Sequence, residues 1–274
     1  MATRAATPRG RRDGGTIAHM TNPIPIAVQL YSLREAATLD FRSVLERVAQ
    51  AGYVGVEYAN LLGNDPGTVR GWAEDLGLVG VSAHRPLPIG DVEHEILDGL
   101  SELGVDTLVV PWAPPERFAD LASIGGLAED LLQAQQNAAA RGIELGYHNH
   151  EFELSTVIDG RTGLEHLFDA VGPLVFAEID VYWAQVGGVD PAVLIARMGS
   201  LVRLLHIKDG PADVKTSPHV AVGSGVIDFH AIADASAHVT WDIVELDECA
   251  TDMFGAVEAS QRWLVGQGLA RGRA

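Results

Sequence analysis

Arg141-Gly142-Ile143-Glu144-Leu145-Gly146-Tyr147-His148-Asn149-His150 is the stretch whose reading decides the fold. A segment of helical spacing, Leu127 to Arg141, stops at a glycine suited to a left-handed helix cap. A short apolar run follows at once and ends in imidazoles. The same order recurs along the chain. Gly52, Gly77 and Gly104 also stand between a helical segment and an apolar run, and short β-branched runs fall near 26–30, 54–58, 78–83, 106–111, 143–148, 173–180, 202–207 and 239–246. The clearest amphipathic segments are Phe41 to Ala51, Leu127 to Arg141 and Phe254 to Val265. Strands alternating with helices imply a parallel sheet. Eight such units favour closure into a single-domain (β/α)8 TIM barrel, with an open doubly wound sheet as the alternative.

A barrel places its chemistry at the C-terminal ends of its strands, and the polar residues here gather at those ends. Strand one ends in Gln29-Leu30-Tyr31, strand two in Glu57-Tyr58 and strand three in Ser82-Ala83-His84. Strand five ends in His148-Asn149-His150-Glu151-Phe152-Glu153, strand six in Glu178-Ile179-Asp180, strand seven in His206-Ile207-Lys208-Asp209 and strand eight in Glu245-Leu246-Asp247. Strand side chains two apart share a face, so His148 and His150 point the same way, as do His206 and Lys208. Strand beginnings such as Leu78-Val79 and Leu201-Val202 are apolar.

Composition narrows the functions. The formal net charge of −18 over 274 residues disfavours a nucleic-acid or anionic-membrane partner, since either requires a basic face. A small polar molecule suits it better. One cysteine, Cys249, excludes an internal disulfide framework and is compatible with a cytoplasmic protein. No run approaches the length of a membrane span. Residues 1–22 carry Arg4, Arg9, Arg11 and Arg12 among Gly, Thr and Ala without apolar period and are expected to be a disordered tail. Asp13-Gly14-Gly15 after the arginine pair is unlike an export signal. The barrel is expected over 23–270 as one catalytic domain.

Together, His-Asn-His on strand five, Ile-Asp-Val-Tyr-Trp on strand six, His-Ile-Lys-Asp on strand seven and Val-Glu on strand eight resemble the xylose-isomerase-like TIM barrels. The nearest group is the sugar phosphate isomerases/epimerases, with inosose dehydratases and keto-sugar 3-epimerases as relatives. Gln29-Leu30-Tyr31-Ser32-Leu33-Arg34 and Gly223-Ser224-Gly225-Val226-Ile227-Asp228 extend the resemblance over roughly residues 25 to 267. It implies one divalent metal, Mn²⁺ foremost and otherwise Co²⁺, Fe²⁺, Zn²⁺ or Mg²⁺, held by Asp180, His206, Glu245 and a strand-five residue. Many members have Glu-Asn-His on strand five, where this chain has His148-Asn149-His150. His148 would therefore be the first ligand, unless Glu151 or Glu153 turns back to supply it.

The chemistry implied is proton abstraction beside a metal-polarised carbonyl of a keto sugar or cyclic polyol ketone, giving an isomerase or epimerase through a stabilised enediolate. A lyase using the same site, by inosose-type dehydration or elimination from a 3-keto glycoside, is the alternative. A sugar-binding barrel without catalysis ranks below both. His150, Lys208 and Glu245 are the candidate acid/base groups, Lys208 on the expectation that a nearby cation disfavours its charged form, unless Asp209 holds it as an ion pair. Gln29, Glu57, His84, Glu153 and Trp183 are candidate substrate contacts, with Trp183 equally readable as core. Glu178 reads as an interior group or a partner that orients a ligand, Asp247 and Glu248 as solvent-facing, and Gly223-Ser224-Gly225 as a turn entering the next helix. Few basic residues lie in the expected top loops, which argues against a strongly phosphorylated substrate. Such barrels often form homo-oligomers.

Overall fold

A computed structural model describes residues 23–273; the expected tail at 1–22 lies outside them. The eight barrel strands are β1 (Ile24–Gln29), β2 (Gly55–Tyr58), β3 (Val79–His84), β4 (Thr107–Val110), β5 (Glu144–His148), β6 (Phe176–Asp180), β7 (Val202–Ile207) and β8 (Trp241–Val244). Each pairs in parallel with its sequence neighbour, and β1 pairs with β8, Ile26 opposite Asp242 and Val28 opposite Val244. That last pairing closes the sheet and eliminates the open alternative. A two-residue strand, Ala270–Arg271, adds beside the start of β1.

One main helix follows each strand: α1 (Phe41–Gln50), α2 (Pro66–Asp75), α3 (Glu93–Leu103), α4 (Leu121–Ala139), α5 (Gly163–Val171), α6 (Pro191–Met198), α7 (Phe229–Ala235) and α8 (Met253–Gly266). Their entries are fixed by side-chain caps. Asp40, Asp65, Asp120, Asp190, Asp228 and Asp252 each accept a backbone N–H from the first turn, and Thr162 with Glu165 forms a capping box. These carboxylates hold orphan N–H donors, and their charge suits the positive end of the helix dipole. The glycines expected to end helices, Gly52, Gly77, Gly104 and Gly142, all have φ between 64° and 94°. Helix α4 starts six residues earlier than its spacing suggested, because the Asp120 cap on Ser123 N–H carries it through Gly125-Gly126. Short helical segments at Phe152–Ser155 and Val181–Val186, and the ribbon Val157–Ile158/Arg161–Thr162, are too brief to show a period.

Two apolar layers result. The larger lies between sheet and helices, with Val28, Val56, Tyr58, Leu108, Tyr147, Ile179 and Leu205 facing helical residues such as Leu45, Leu100, Leu131 and Leu167. The smaller plugs the N-terminal end of the barrel with Ala27, Val81, Val109, Phe176, Leu204 and Ile243. Gly146 is required there, since a Cβ at that position would stand 2.4 Å from the Phe176 ring. Above this plug the barrel interior turns polar, whereas barrels of this kind are ordinarily filled by branched apolar side chains.

Asp242, on the helix-facing side of β8, is a polar residue with no evident function. It shares a small crevice with Ile207, Phe229, Ile232 and Leu264, and burial alone pushes its carboxyl up to about 7. A folded-state value above the unfolded one means a stability contribution fully present below the unfolded value and lost as pH rises through about 7. Asp242→Asn is therefore expected to raise unfolding stability at pH 8 by on the order of 2–4 kcal/mol. The gain should shrink steadily towards pH 5, as read by thermal unfolding of both proteins across that range.

Candidate metal and acid/base centre

The polar interior is built in two tiers. The lower tier begins with a rung across three strands, Gln29, Glu57 and Ser82, which the strand registers set side by side. Gln29 Nε2 donates to Glu57 Oε2 at 2.6 Å and Ser82 Oγ donates to Glu57 Oε1 at 2.7 Å. His206 Nε2 lies 2.6 Å from Glu57 Oε2 and 3.2 Å from Glu178 Oε2. His84 Nε2 bridges the same carboxylates, 2.7 Å from Glu178 and 3.3 Å from Glu57. Burial opposes ionisation of Glu57, but His84 and His206 pull its carboxyl down to about 2. Glu178 goes the other way, to about 7, through burial and the neighbouring Glu57 charge.

The upper tier carries the donor set. His148, Asp180, His206 and Glu245, all buried, offer ligand atoms lying within 4.8 Å of one another, a group able to hold a metal ion. Asp180 caps the helical turn at Val181–Val186, its Oδ1 accepting from Tyr182 N–H at 3.0 Å and Trp183 N–H at 2.9 Å. Its Oδ2 is buried, 3.0 Å from Lys208 Nζ and 3.7 Å from His148 Nε2. His148 Nδ1 is 3.0 Å from Glu178 Oε2. Burial, with His206 beside it, holds this imidazole well below its ordinary value, so Nδ1–H donates to Glu178 and Nε2 keeps its lone pair towards Asp180. A carboxylate fixing the tautomer and ring orientation of a potential ligand is a recurrent feature of metal sites. The free His148 nitrogen and a mixed set of two imidazoles and two carboxylates fit a transition-metal dication.

Lys208 departs from expectation. Its ammonium is fully enclosed, 3.0 Å from Asp180 Oδ2, 2.7 Å from Glu245 Oε2 and 2.8 Å from Asp247 Oδ2. Burial works against the charge, but these carboxylates raise its value well above the usual lysine range, so here it is a fixed cation and not a neutral base. Nor does Asp209 pair with it. Asp209 accepts backbone N–H groups from Gly210, Gly223, Gly225 and Ile227, which ties the loop after β7 back to its own strand. A Cβ on Gly225 would sit 2.1 Å from Asp209 Oδ1, so Gly223-Ser224-Gly225 is a clasp and not merely a turn. Asp247, read from the sequence as solvent-facing, instead cages Lys208 and lines the cavity. Its two-residue offset from Glu245 was the signal for it.

A cavity of about 800 Å³ opens above the tier, lined on this side by His84, His148, His150, Lys208, Glu245 and Asp247. His150 has a buried Nδ1 without a partner, and burial with the nearby Lys208 charge lowers its imidazole to about 4. Gln29, Glu57, Glu153 and Trp183, expected to touch substrate, are set back from this lining. The rung consumes Gln29 and both oxygens of Glu57. Glu153 is bound by Tyr147 Oη–H at 3.0 Å and His150 N–H at 2.9 Å, burial raising its carboxyl to about 8. Glu151 lies 3.4 Å from Lys215, so neither glutamate stands in the donor group. Trp183 is buried, stacks 6.1 Å from His150 and packs 5.5 Å from Lys208 Nζ. His219 went unnoticed in the sequence, arriving from a loop without periodic signal. Its Nδ1 accepts from Asp247 N–H at 3.1 Å.

Fold and site together define a class. The chain belongs to the xylose isomerase-like TIM barrels, whose family model matches residues 45–264. It is similar to a 2-epi-5-epi-valiolone 7-phosphate 2-epimerase of Actinoplanes sp., 28% identical over 178 residues, covering 65% of this chain and 59% of the relative. It is also similar to an inosose dehydratase of Geobacillus kaustophilus, 26% identical over 196 residues, covering 62% of each. The chain thus spans about three fifths of the length of these curated relatives. Among solved structures, a sugar phosphate isomerase/epimerase from Parabacteroides distasonis superposes with a TM-score of 0.76 at 22% identity, covering 95% of this chain and 100% of that one. That likeness speaks for the fold. Among the described residues no helix is long and apolar enough to cross a membrane.

Removing Lys208 leaves Asp180, Glu245 and Asp247 without their cation. Lys208→Met is expected to destabilise the metal-free protein by about 3–5 kcal/mol, with a greater loss at pH 8 than at pH 5, where carboxylates can take up protons. Thermal unfolding at the two pH values checks both magnitude and sign.

Proposed function

We propose that this protein is a divalent-metal-dependent isomerase or epimerase acting on an unphosphorylated keto sugar or cyclic polyol ketone. The observation that carries the reading is the convergence of His148, Asp180, His206 and Glu245 at the barrel mouth, with His150 facing the same cavity. Those four residues would hold the ion, Mn²⁺ foremost. Bound there, it would serve as a Lewis acid towards the substrate carbonyl and so acidify the adjacent C–H. The chain's own groups do the rest. His150, largely neutral near pH 7 because burial disfavours its charged form, accepts that proton at Nε2, the ring nitrogen not buried against the protein. Lys208 remains an ammonium throughout and orients the acidic groups around it. Glu57, Glu178 and His84 hold His148 and His206 in register beneath the substrate.

A second reading, a lyase that expels a β-leaving group after the same proton abstraction, is favoured by His148 itself. An epimerase returns the proton from the opposite face with a second matched group. Strand five here presents an imidazole where many relatives present a carboxylate, and elimination proceeds with a single base. Absence of phosphate from the substrate is supported by the lining. Its lysine and arginine are Lys208, enclosed by carboxylates, and Arg85, whose Nη1 donates to the carbonyls of Ala59 and His84.

Purified protein loaded with Mn²⁺ and freed of excess metal is expected to retain about one ion per chain. Asp180→Asn and His206→Ala should lose it, and Glu178→Gln should bind it about 10–100-fold more weakly. No retained metal in the wild type after loading would remove the reading. With keto sugars in D₂O, deuterium exchange into recovered ketose that disappears in His150→Ala supports the epimerase, whereas loss of water or of an aglycone supports the lyase.

A further inference from the structure

The cavity above the donor tier has two unlike halves. His84 at the end of β3 and residues at or just beyond the ends of β5, β7 and β8 supply its polar side. The loops after β1 to β4 supply an apolar wall that includes Tyr31, Leu61, Val92, Ile96, Pro111 and Trp112. Several of these are more exposed than large apolar side chains usually are: Tyr31 is 43%, Val92 44% and Trp112 51% exposed. Trp112 is the one exposed tryptophan of the five, and it stands beside the cavity. The volume of about 800 Å³ falls in the upper part of the ~300–1,000 Å³ range of sites for drug-sized ligands. It exceeds what one sugar ring of about twelve non-hydrogen atoms fills.

We propose that the substrate carries an aromatic or similarly flat apolar substituent, its sugar or polyol part over His148, His150 and Glu245 and its apolar part against Trp112, Tyr31, Val92 and Ile96. The inference rests on the proposed function and names the substrate class of that site. The wall is continuous with the donor cluster in one cavity, so a single molecule reaches both. The wall carries one cation, Arg85, whose Nη1 is held by the carbonyls of Ala59 and His84, and one carboxylate, Glu95, so its net charge suits a neutral substituent. Exposed aromatic faces are suited to stacking on a neutral ring. A glycoside or ether with an aromatic aglycone has this two-part form.

Calorimetric titration of the Mn²⁺-loaded protein with 4-nitrophenyl and methyl 3-keto-β-D-glucopyranoside tests it. The aryl glycoside is expected to bind at least tenfold more tightly. Trp112→Ala should bring the ratio of the two affinities close to one, and His206→Ala should weaken both glycosides alike. Equal affinities in the wild type, no binding of either, or a ratio insensitive to both Trp112→Ala and Ile96→Asp overturns the inference. So does sedimentation showing a wild-type dimer that Trp112→Asp separates, because the wall then seats a second copy of the chain. Metal retained and methyl glycoside bound without aryl preference would remove this inference alone and leave the proposed function standing. Aryl binding undiminished in His206→Ala would count against the sugar site itself, and with it against this inference.

Discussion

Five carboxylates, Glu57, Glu178, Asp180, Glu245 and Asp247, converge in the upper half of one barrel, and neutralising them is the constraint on which the rest of the centre depends. Unpaired charges at such depth are costly, so each must find a cation, a proton or several donors. His84 and His206 answer the lower tier and Lys208 the upper, while burial and the adjacent Glu57 favour a proton on Glu178. The result is a lattice of charge-assisted contacts between 2.6 and 3.3 Å. A barrel interior that is ordinarily a passive plug becomes here a set of fixed dipoles aimed at its mouth, which is the arrangement that electrostatic catalysis requires.

Polarity of the interior and apolarity of the base are two sides of one construction. Phe176, packed over Gly146, and the ring of Ala27, Val109, Leu204 and Ile243 close the floor. With this apolar floor buried beneath them, the carboxylate–imidazole contacts lie in surroundings of low polarity, where such contacts are stronger. Strand register then fixes the details: Glu57 lies between Gln29 and Ser82, and Asp180 lies opposite His206.

Much of this was legible in the sequence, and the boundary of what was not has a physical cause. Alternation of strand and helix, glycine caps and polar strand ends are local signals, so the eight units and the strand ends that hold His148, Asp180, His206 and Glu245 were legible, whereas grouping those four as one donor set came from the family resemblance. Partnerships are not local. That Glu57 would spend itself on Gln29, Ser82 and His206 depends on registers across a closed sheet and on a contact spanning 149 positions. Lys208 was expected to lean towards neutrality, which would hold beside a bare cation. Three carboxylates reached it first, one of them Asp247 from the loop end of β8. Asp209 turned towards the glycine clasp because backbone N–H groups within a folded loop outcompete a neighbouring ammonium already enclosed. Pattern locates residues on a face; only packing decides which neighbour each meets.

Asp180 does two things with one carboxylate, and the division limits how the centre can adapt. Because Oδ1 is committed to the N–H groups of Tyr182 and Trp183, the side chain cannot rotate without uncapping the turn that carries Trp183, so Oδ2 is a stationary point. Glu245 has a longer stem and no such backbone tether, its Oε2 being held by side chains alone, His206 Nδ1 and Lys208 Nζ, each at 2.7 Å. If the proposed ion binds there, adjustment to cations of different radius would fall to the Glu245 edge of the donor set, with the Asp180 edge acting as a rigid gauge.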